Sequence, residues 1–367
     1  MTIGIDARFF GPRAKGLGRY TEKLIAELEK QDSVNNYVIF LRQPEFIRCQ
    51  PVNPRFKKVL ADWRWYSLAE QIFMPLAIAR QKVDLMHFPH FNVPIFWRGP
   101  FVVTVHDLIL RHFSTRRAST LGPLSYWFKY QIYKIVIKSA VKRAARIITI
   151  SRFVKEDIMK SFNVPADRIA VIYEGAPAAE SEKKIKNRLV GQYLLYVGNA
   201  YPHKNLETLL AAFEILRRDD RPNLRLVLVG EEDYFYRRLK ARAPNGVIFA
   251  GFAPDKELAE IYQRASVYVF PSLCEGFGLP PLEAMACGVP VAAAKATCLP
   301  EVLGEAAVYF DPKDANDMAS KIAGILENNQ LRQTLKEKGL AQIKKYSWEK
   351  MACQTMEIYA GVDFRTR

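Results

Sequence analysis

The chain has 367 residues, 49% of them hydrophobic and 25% charged, and a formal net charge of +16. That length suits two ordinary domains, and that balance excludes extended disorder. No apolar run reaches the ~20 residues of a spanning helix, and "MTIGIDARFF" lacks the basic-then-apolar plan of a secretory leader, so a cytoplasmic location is expected.

The first half alternates short β-branched runs with amphipathic stretches. "TIGIDARFF", "YVIFL" (37–41), "VDLMHF" (83–88), "FVVTVHD" (101–107) and "RIITIS" (146–151) read as buried strands, with "RYTEKLIAELEK" and "WYSLAEQIFMPLAIAR" as helices between some of them. Gly16 and Gly18 are expected between the first strand and its helix, where the backbone either approaches a ligand or simply turns. His87 and His90 sit three apart, but strand context and the intervening proline argue against a metal pair. His106 ends the strand "FVVTVHD", which aims it at the carboxyl edge of the sheet.

From Leu108 to Lys155 there is no Asp or Glu, while eleven Lys and Arg, from Arg111, Arg116 and Arg117 through Lys134, Lys138 and Lys142 to Arg152 and Lys155, are interleaved with Tyr126, Trp127, Phe128, Tyr130 and Tyr133. Cations and aromatics on one segment suit an acidic membrane surface; the alternative is a core helix with a basic outer face.

A lysine-rich linker, "APAAESEKKIKNRLVGQ", precedes a second series: strands "YLLYVG", "LRLVLVG", "VIFAGF", "VYVFPS" and "VPVAAA", with helices at "HKNLETLLAAFEILRR" and "DKELAEIYQRA". The expected fold class is therefore α/β, two Rossmann-like domains at 1–180 and 181–346 with ligands at the carboxyl ends of their strands. The helix at 347–362 could pack on either domain, the first included. Five scattered cysteines form no C-x-x-C pair, which suggests reduced thiols rather than disulfides or a zinc site.

The densest signal is "PSLCEGFGLPPLEAMACGVPVAAA", residues 271–294. Glycines and prolines postpone the helix to about residue 279, which leaves Glu275 in the loop after a strand and Glu283 in the first or second helical turn. A helix start attracts phosphate, and a carboxylate accepts hydrogen bonds from two vicinal hydroxyls, so two such glutamates suit the two polyol rings of a nucleotide sugar.

This string resembles the signature of the retaining glycosyltransferases of family 4, and so do "KGLGRYTEKLI", "TVHDL", "VGNAYPHKNLETLLAAF", "CLPEVLGEAAVYFDP" and the closing "YSWEKMACQTMEIY". The resemblance spans nearly the whole chain and implies a GT-B fold, with an acceptor-binding first domain facing a donor-binding second one across a cleft. It implies that Glu275 faces the transferred sugar, Glu283 holds the ribose, and the amides of Gly276, Phe277, Gly278 and Leu279 line the sugar and diphosphate. Lys204 would neutralise the diphosphate, His106 would hydrogen-bond the donor sugar, and Gly16 and Gly18 would form a diphosphate-proximal loop. Where many relatives carry an arginine, this chain has Asn199, with His203 nearby.

No D-x-D triplet occurs, so activity without metal or other cofactor is expected. The resemblance, which extends to bacterial mannosyltransferases of that family, implies GDP-mannose as the first-choice donor, UDP-glucose as the alternative, and a glycan or lipid-linked acceptor. A nucleic-acid-binding protein explains the charge but nothing of "EGFGLPPLE"; a nicotinamide dehydrogenase lacks its third glycine at Thr21; an inactive scaffold would not need Glu275, Glu283, Lys204 and His106 together.

Overall fold

A computed structural model of the protein describes residues 1–113, 122–177, 191–218 and 221–362. Arg116 and Arg117 of the basic segment, and most of the expected linker, lie outside these residues.

Hydrophobic period sets the first sheet. Its strands are β1 (Thr2–Asp6), β2 (Asn36–Leu41), β3 (Phe56–Leu60), β4 (Leu85–Phe88), β5 (Phe101–Val105), β6 (Arg146–Thr149) and β7 (Ile169–Val171), all parallel in the order β3-β2-β1-β4-β5-β6-β7. Alternate residues feed opposite faces, as a pleated strand requires. Val38 and Phe40 of β2 enter one core and Tyr37, Ile39 and Leu41 the other; β5 sends Phe101, Val103 and Val105 one way and Val102 the other.

Helices α1 (Lys15–Gln31), α2 (Gln43–Arg48), α3 (Leu68–Arg80), α5 (Pro123–Arg143) and α6 (Arg152–Phe162) accompany this sheet. The core on one face takes Met74, Ala77 and Ile78 of α3, Tyr133, Ile137, Ala140 and Val141 of α5, and Val154 and Ile158 of α6. The core on the other takes Tyr20, Leu24, Ile25 and Leu28 of α1 and Met351, Ala352 and Tyr359 of the C-terminal helix α14 (Trp348–Ala360). Cys353 Sγ of α14 donates to Gln31 Oε1 of α1 at 2.8 Å.

The second sheet has six parallel strands in the order β10-β9-β8-β11-β12-β13: β8 (Tyr193–Val197), β9 (Arg225–Val229), β10 (Val247–Gly251), β11 (Val267–Phe270), β12 (Val291–Ala294) and β13 (Ala307–Phe310). Helices α7 (Leu206–Arg218), α8 (Tyr234–Lys240), α9 (Asp255–Gln263), α10 (Leu279–Ala286), α11 (Leu299–Leu303), α12 (Ala315–Glu327) and α13 (Asn329–Ile343) accompany it.

The chain divides into two units. One holds the described residues within 1–108, 121–175 and 347–367; the other holds those within 109–120 and 176–346. The boundary thus falls five residues before the expected one at 180/181, and the short α4 (Ile109–His112) belongs to the second unit. Just after α4, the ring of Phe113 lies 6.2 Å from that of His203. Among the described residues no helix is long and apolar enough to cross a membrane.

Candidate active site

In the second sheet the strand order reverses between β8 and β11, so the loops that follow these two strands diverge at their carboxyl ends and leave a crevice. Lys204 comes from the loop after β8, in a 3₁₀ turn over Pro202–Lys204 just before α7, and Glu275 from the loop after β11. Lys204 Nζ meets Glu275 Oε1 at 2.5 Å, with the two side chains only 15% and 11% exposed. The turn and the loop are tied as well by Leu273 N, which donates to His203 O at 2.8 Å. Asn205, in the left-handed conformation, donates from its side chain to the carbonyls of Pro271 and Pro312. A cation and a carboxylate are thus held together at the place where such sheets receive ligands.

The Glu275 loop is pinned from a second side. Glu275 N donates to Thr297 Oγ1 at 3.2 Å, and Cys298 Sγ lies 3.3 Å from both Glu275 O and Phe277 O, beyond β12. Gly278 then turns the chain into α10 with φ at +103°, a backbone that disfavours any side chain, and a Cβ there would meet Leu299 Cδ2 at 3.0 Å. Pro280 and Pro281 follow at once, so the helix starts where expected. They also remove two of the first-turn amides, which leaves Leu279 and the loop ahead of it to supply N–H groups there.

Glu283 sits in the second turn of α10, where its Oε2 accepts from Tyr262 Oη at 3.1 Å. Tyr262 is fully buried on α9, and burial, reinforced by the Glu283 charge, holds its phenol proton on well above the ordinary range. The tyrosine is therefore a fixed donor that orients one Glu283 oxygen.

The two residues standing near the missing arginine add no charge. Asn199 caps its own turn, its Oδ1 accepting from Tyr201 N at 3.4 Å and its carbonyl from Tyr196 Oη at 2.7 Å. Burial, with the neighbouring Lys204 charge adding to it, pushes the His203 imidazole down to about 4 despite an opposing effect of Glu275. His203 is neutral at physiological pH, so of Asn199, His203 and Lys204 it is Lys204 that brings a positive charge.

In the first unit two expectations change. Gly16 and Gly18 are not in a loop between strand and helix; α1 starts at Lys15 and takes both into its first turn. They also differ in role. A Cβ on Gly18 would lie 1.8 Å from Gly11 O and 2.8 Å from Phe9 O, because α1 packs directly on the backbone of the β1–α1 loop, whereas one on Gly16 would meet nothing within 4 Å. Gly18 is needed for packing and Gly16 is open.

The second change concerns His106. Strand β5 stops at Val105, and His106 is the first residue beyond it. Its Nε2 contacts Pro89 O at 2.9 Å and its Nδ1 contacts Glu174 Oε1 at 3.1 Å. A carbonyl only accepts, so the contact to Pro89 O is one in which Nε2 donates. Tyr20 of α1 packs edge-on at 4.7 Å. Both ring nitrogens are thus engaged by the first unit itself.

His87 is a buried structural residue rather than a ligand: Nδ1 bonds Tyr359 Oη at 2.6 Å and Nε2 bonds Thr104 Oγ1 at 2.8 Å. Glu174, Tyr262, Thr297 and Cys298 are the participants that sequence reasoning missed. Each lies 21 or more residues from the group it holds, and the local patterns that include two of them, "DKELAEIYQRA" for Tyr262 and "CLPEVLGEAAVYFDP" for Cys298, carry no sign of the partner.

Comparison with known proteins agrees with this geometry. Residues 14–180 match Glycosyltransferase Family 4 and residues 178–342 match Glycosyl transferases group 1. The O-antigen chain mannosyltransferase B of Escherichia coli is 36% identical over 372 residues, covering 94% of this chain and 95% of that one. The O-antigen chain mannosyltransferase RfbU of Salmonella typhimurium is 29% identical, over 71% of this chain and 70% of its own. A sucrose-phosphate synthase structure from Thermosynechococcus elongatus superposes with a TM-score of 0.75 at 22% identity, covering 98% of each chain. Two parallel α/β units, a lysine and two glutamates at the carboxyl edge of the second, and these matches lead to one assignment: the chain belongs to glycosyltransferase family 4 and has the GT-B fold.

Proposed function

We propose that this glycosyltransferase moves mannose from GDP-mannose, with retention of configuration, to a glycan or lipid-linked acceptor during assembly of a cell-surface polysaccharide of the O-antigen kind. The observation that carries the reading is the Lys204–Glu275 pair at the switch point of a chain 36% identical to an O-antigen mannosyltransferase. The first unit takes the acceptor and the second the donor.

On this reading the donor diphosphate draws Lys204 off Glu275. The ammonium then neutralises the charge that grows as the bond from the anomeric carbon to the phosphate oxygen breaks, and the released carboxylate accepts hydroxyls of the sugar. Glu283, oriented by Tyr262, takes the ribose hydroxyls. The amides of Gly276, Phe277, Gly278 and Leu279, and the first turn of α1 at Gly16, approach the sugar and diphosphate.

The acceptor oxygen bonds to the anomeric carbon on the face the phosphate leaves, and its proton passes to the departing phosphate oxygen. His106 contributes a hydrogen bond to the donor sugar from Nε2, shared with or taken from Pro89 O. Its Glu174 contact keeps the ring in place while that happens. Lys204 performs the charge-neutralising task without a metal or other cofactor. The basic face of α5 brings the enzyme to the headgroups of the membrane that carries a lipid-linked acceptor, at the inner face of that membrane, and nucleic acid is not a partner.

A thermal-shift screen of GDP, UDP, ADP and TDP with their sugars tests the donor, since a ligand at 100-fold its Kd stabilises by about 2.7 kcal/mol. The expected outcome is a shift with GDP and GDP-mannose and a transfer rate unchanged by excess chelator. A shift with UDP and UDP-glucose alone would replace the donor, and abolition by chelator with rescue by magnesium would overturn the metal-free mechanism.

A further inference from the structure

We infer that α3, the segment 89–100 and α5 form one continuous face of the first unit that seats on an anionic bilayer, with α3 supplying apolar anchors as α5 supplies both anchors and charge. This rests on the peripheral-enzyme reading above and extends it to a helix with no basic signature.

The observation is an excess of large apolar side chains in water. Leu68 on α3 is 83% exposed and Leu124 on α5 is 84% exposed; Ile72, Phe73, Leu76, Trp127, Phe128, Ile135 and Phe96 each lie between 48% and 61%. Single exposed apolar residues are ordinary, but nine on two helices and the segment between them mark an interaction surface. On α3, Leu68, Ile72 and Leu76 recur every fourth residue and so share one side of the helix. On α5, Leu124 and Phe128 share a side with Ile135 and with Lys134, Lys138 and Lys142, so an apolar tip leads into a lysine row.

The pieces are contiguous. Both helices bury their inner sides in the same core, on the same face of the sheet, so their outer sides look the same way. No helix separates β4 from β5, and the chain between them is held by both neighbours: Ile95 N donates to Gln71 Oε1 of α3 at 2.7 Å, while Ile95 O accepts from Arg143 Nη1 of α5 at 2.9 Å. Phe96 is the next residue and points outward.

Charge selects the occupant. Across 68–80, 89–100 and 123–143 the sole carboxylate is Glu70, fully buried against Arg8 at 2.7 Å, whereas Arg80, Lys129, Lys134, Lys138 and Lys142 are exposed. A second copy docked about a two-fold axis would set these cations against themselves. A surface of acidic headgroups over hydrocarbon satisfies both the lysines and the apolar residues.

The test is flotation of the full chain with vesicles of phosphatidylcholine alone and of phosphatidylcholine with phosphatidylglycerol. Wild type is expected to float with the acidic vesicles only. Ile72→Ser with Leu76→Ser should weaken that partition about tenfold, equivalent to ~1.4 kcal/mol, at unchanged melting temperature. If this pair impairs folding, Leu68→Ser, at the most exposed position of α3, serves instead and should reduce flotation in the same direction.

If the α3 variants float like wild type while Lys134→Gln with Lys138→Gln releases the protein, the inference falls and the membrane reading of α5 stands. If wild type floats with neither vesicle, both fall. A dimer in sedimentation velocity that the α3 substitutions dissolve would assign the face to a second copy and overturn the proposal.

Discussion

Replacing Lys204 by methionine separates two consequences of its contact with Glu275. Breaking a fully buried ion pair by removing one partner costs ~3–5 kcal/mol because the other charge is stranded. Here the side chains retain 15% and 11% of their exposure, which permits some hydration of Glu275 and lowers the expected loss. A cost of ~2–3 kcal/mol in the second unit corresponds to a fall in Tm of about 5–10 °C for a unit of this size.

The rate should fall further than stability explains, by about 10²–10³, as for loss of one electrostatic group in the transition state. Adding Glu275→Gln removes the stranded charge. The double variant should therefore recover most of the Tm while its rate stays low, because neither group can then act on the donor. Differential scanning calorimetry and initial rates of sugar transfer measure the two effects on the same preparations. A Lys204→Met enzyme within threefold of wild-type rate, or a double variant no more stable than the single one, would refute the reasoning.

Tyr262→Phe deletes the hydroxyl that orients Glu283, a hydrogen bond to a charged group worth ~1.5–3 kcal/mol, so calorimetric affinity for the nucleotide should drop at least tenfold; unchanged affinity would detach Glu283 from the ribose. Gly18→Ala should unfold or strongly destabilise the first unit, whereas Gly16→Ala, with open space around its Cβ, should raise stability by ~0.5–1 kcal/mol as a helical glycine replacement. A Gly16→Ala enzyme of full activity would place that turn away from the donor.

Buried His87 and half-buried His90 are held down to about 3, chiefly by loss of solvation, and His203 to about 4. Their stabilisation is complete above the unfolded-state histidine value and shrinks as pH falls through it, because the unfolded chain then binds protons the folded one refuses. At about pH 5 each should have withdrawn ~2 kcal/mol. Denaturant midpoints that stay flat between about pH 7 and pH 5 would contradict these environments.

Much of the architecture was legible because period and punctuation agree. Strands such as "FVVTV" are continuous apolar runs, and Gly278 with two prolines fixes where α10 begins. Strand β3, "FKKVL", escaped notice because its lysines break the apolar run, and β7 because three residues carry too little pattern. β13 hid in the alanine-rich "GEAAVYFDP" for a similar reason. Gly16 and Gly18 misled because glycine ordinarily punctuates a helix start; the close approach of Gly11 to Gly18 that favours glycine inside α1 is a tertiary fact.

At the site, Glu275, Glu283 and Lys204 stood out through loop grammar and resemblance. Their supports did not: Tyr262 is separated from Glu283 by 21 residues and Glu174 from His106 by 68, distances over which a single sequence carries no signal.

The return of α14 to the first unit has a consequence for how the protein is made. Tyr359 closes onto His87, and Met351 and Ala352 fill the core beside α1, yet the ribosome completes the whole second unit before α14 exists. The earliest-synthesised unit is therefore the last to finish folding. Until then its sheet presents an apolar groove along α1, while the second unit, whose strands all lie between residues 193 and 310, can already have closed its own core. Truncation ahead of Ser347 should accordingly leave a folded second unit tethered to an aggregation-prone first one, and a chaperone acting on the nascent chain would find its binding surface on the N-terminal half.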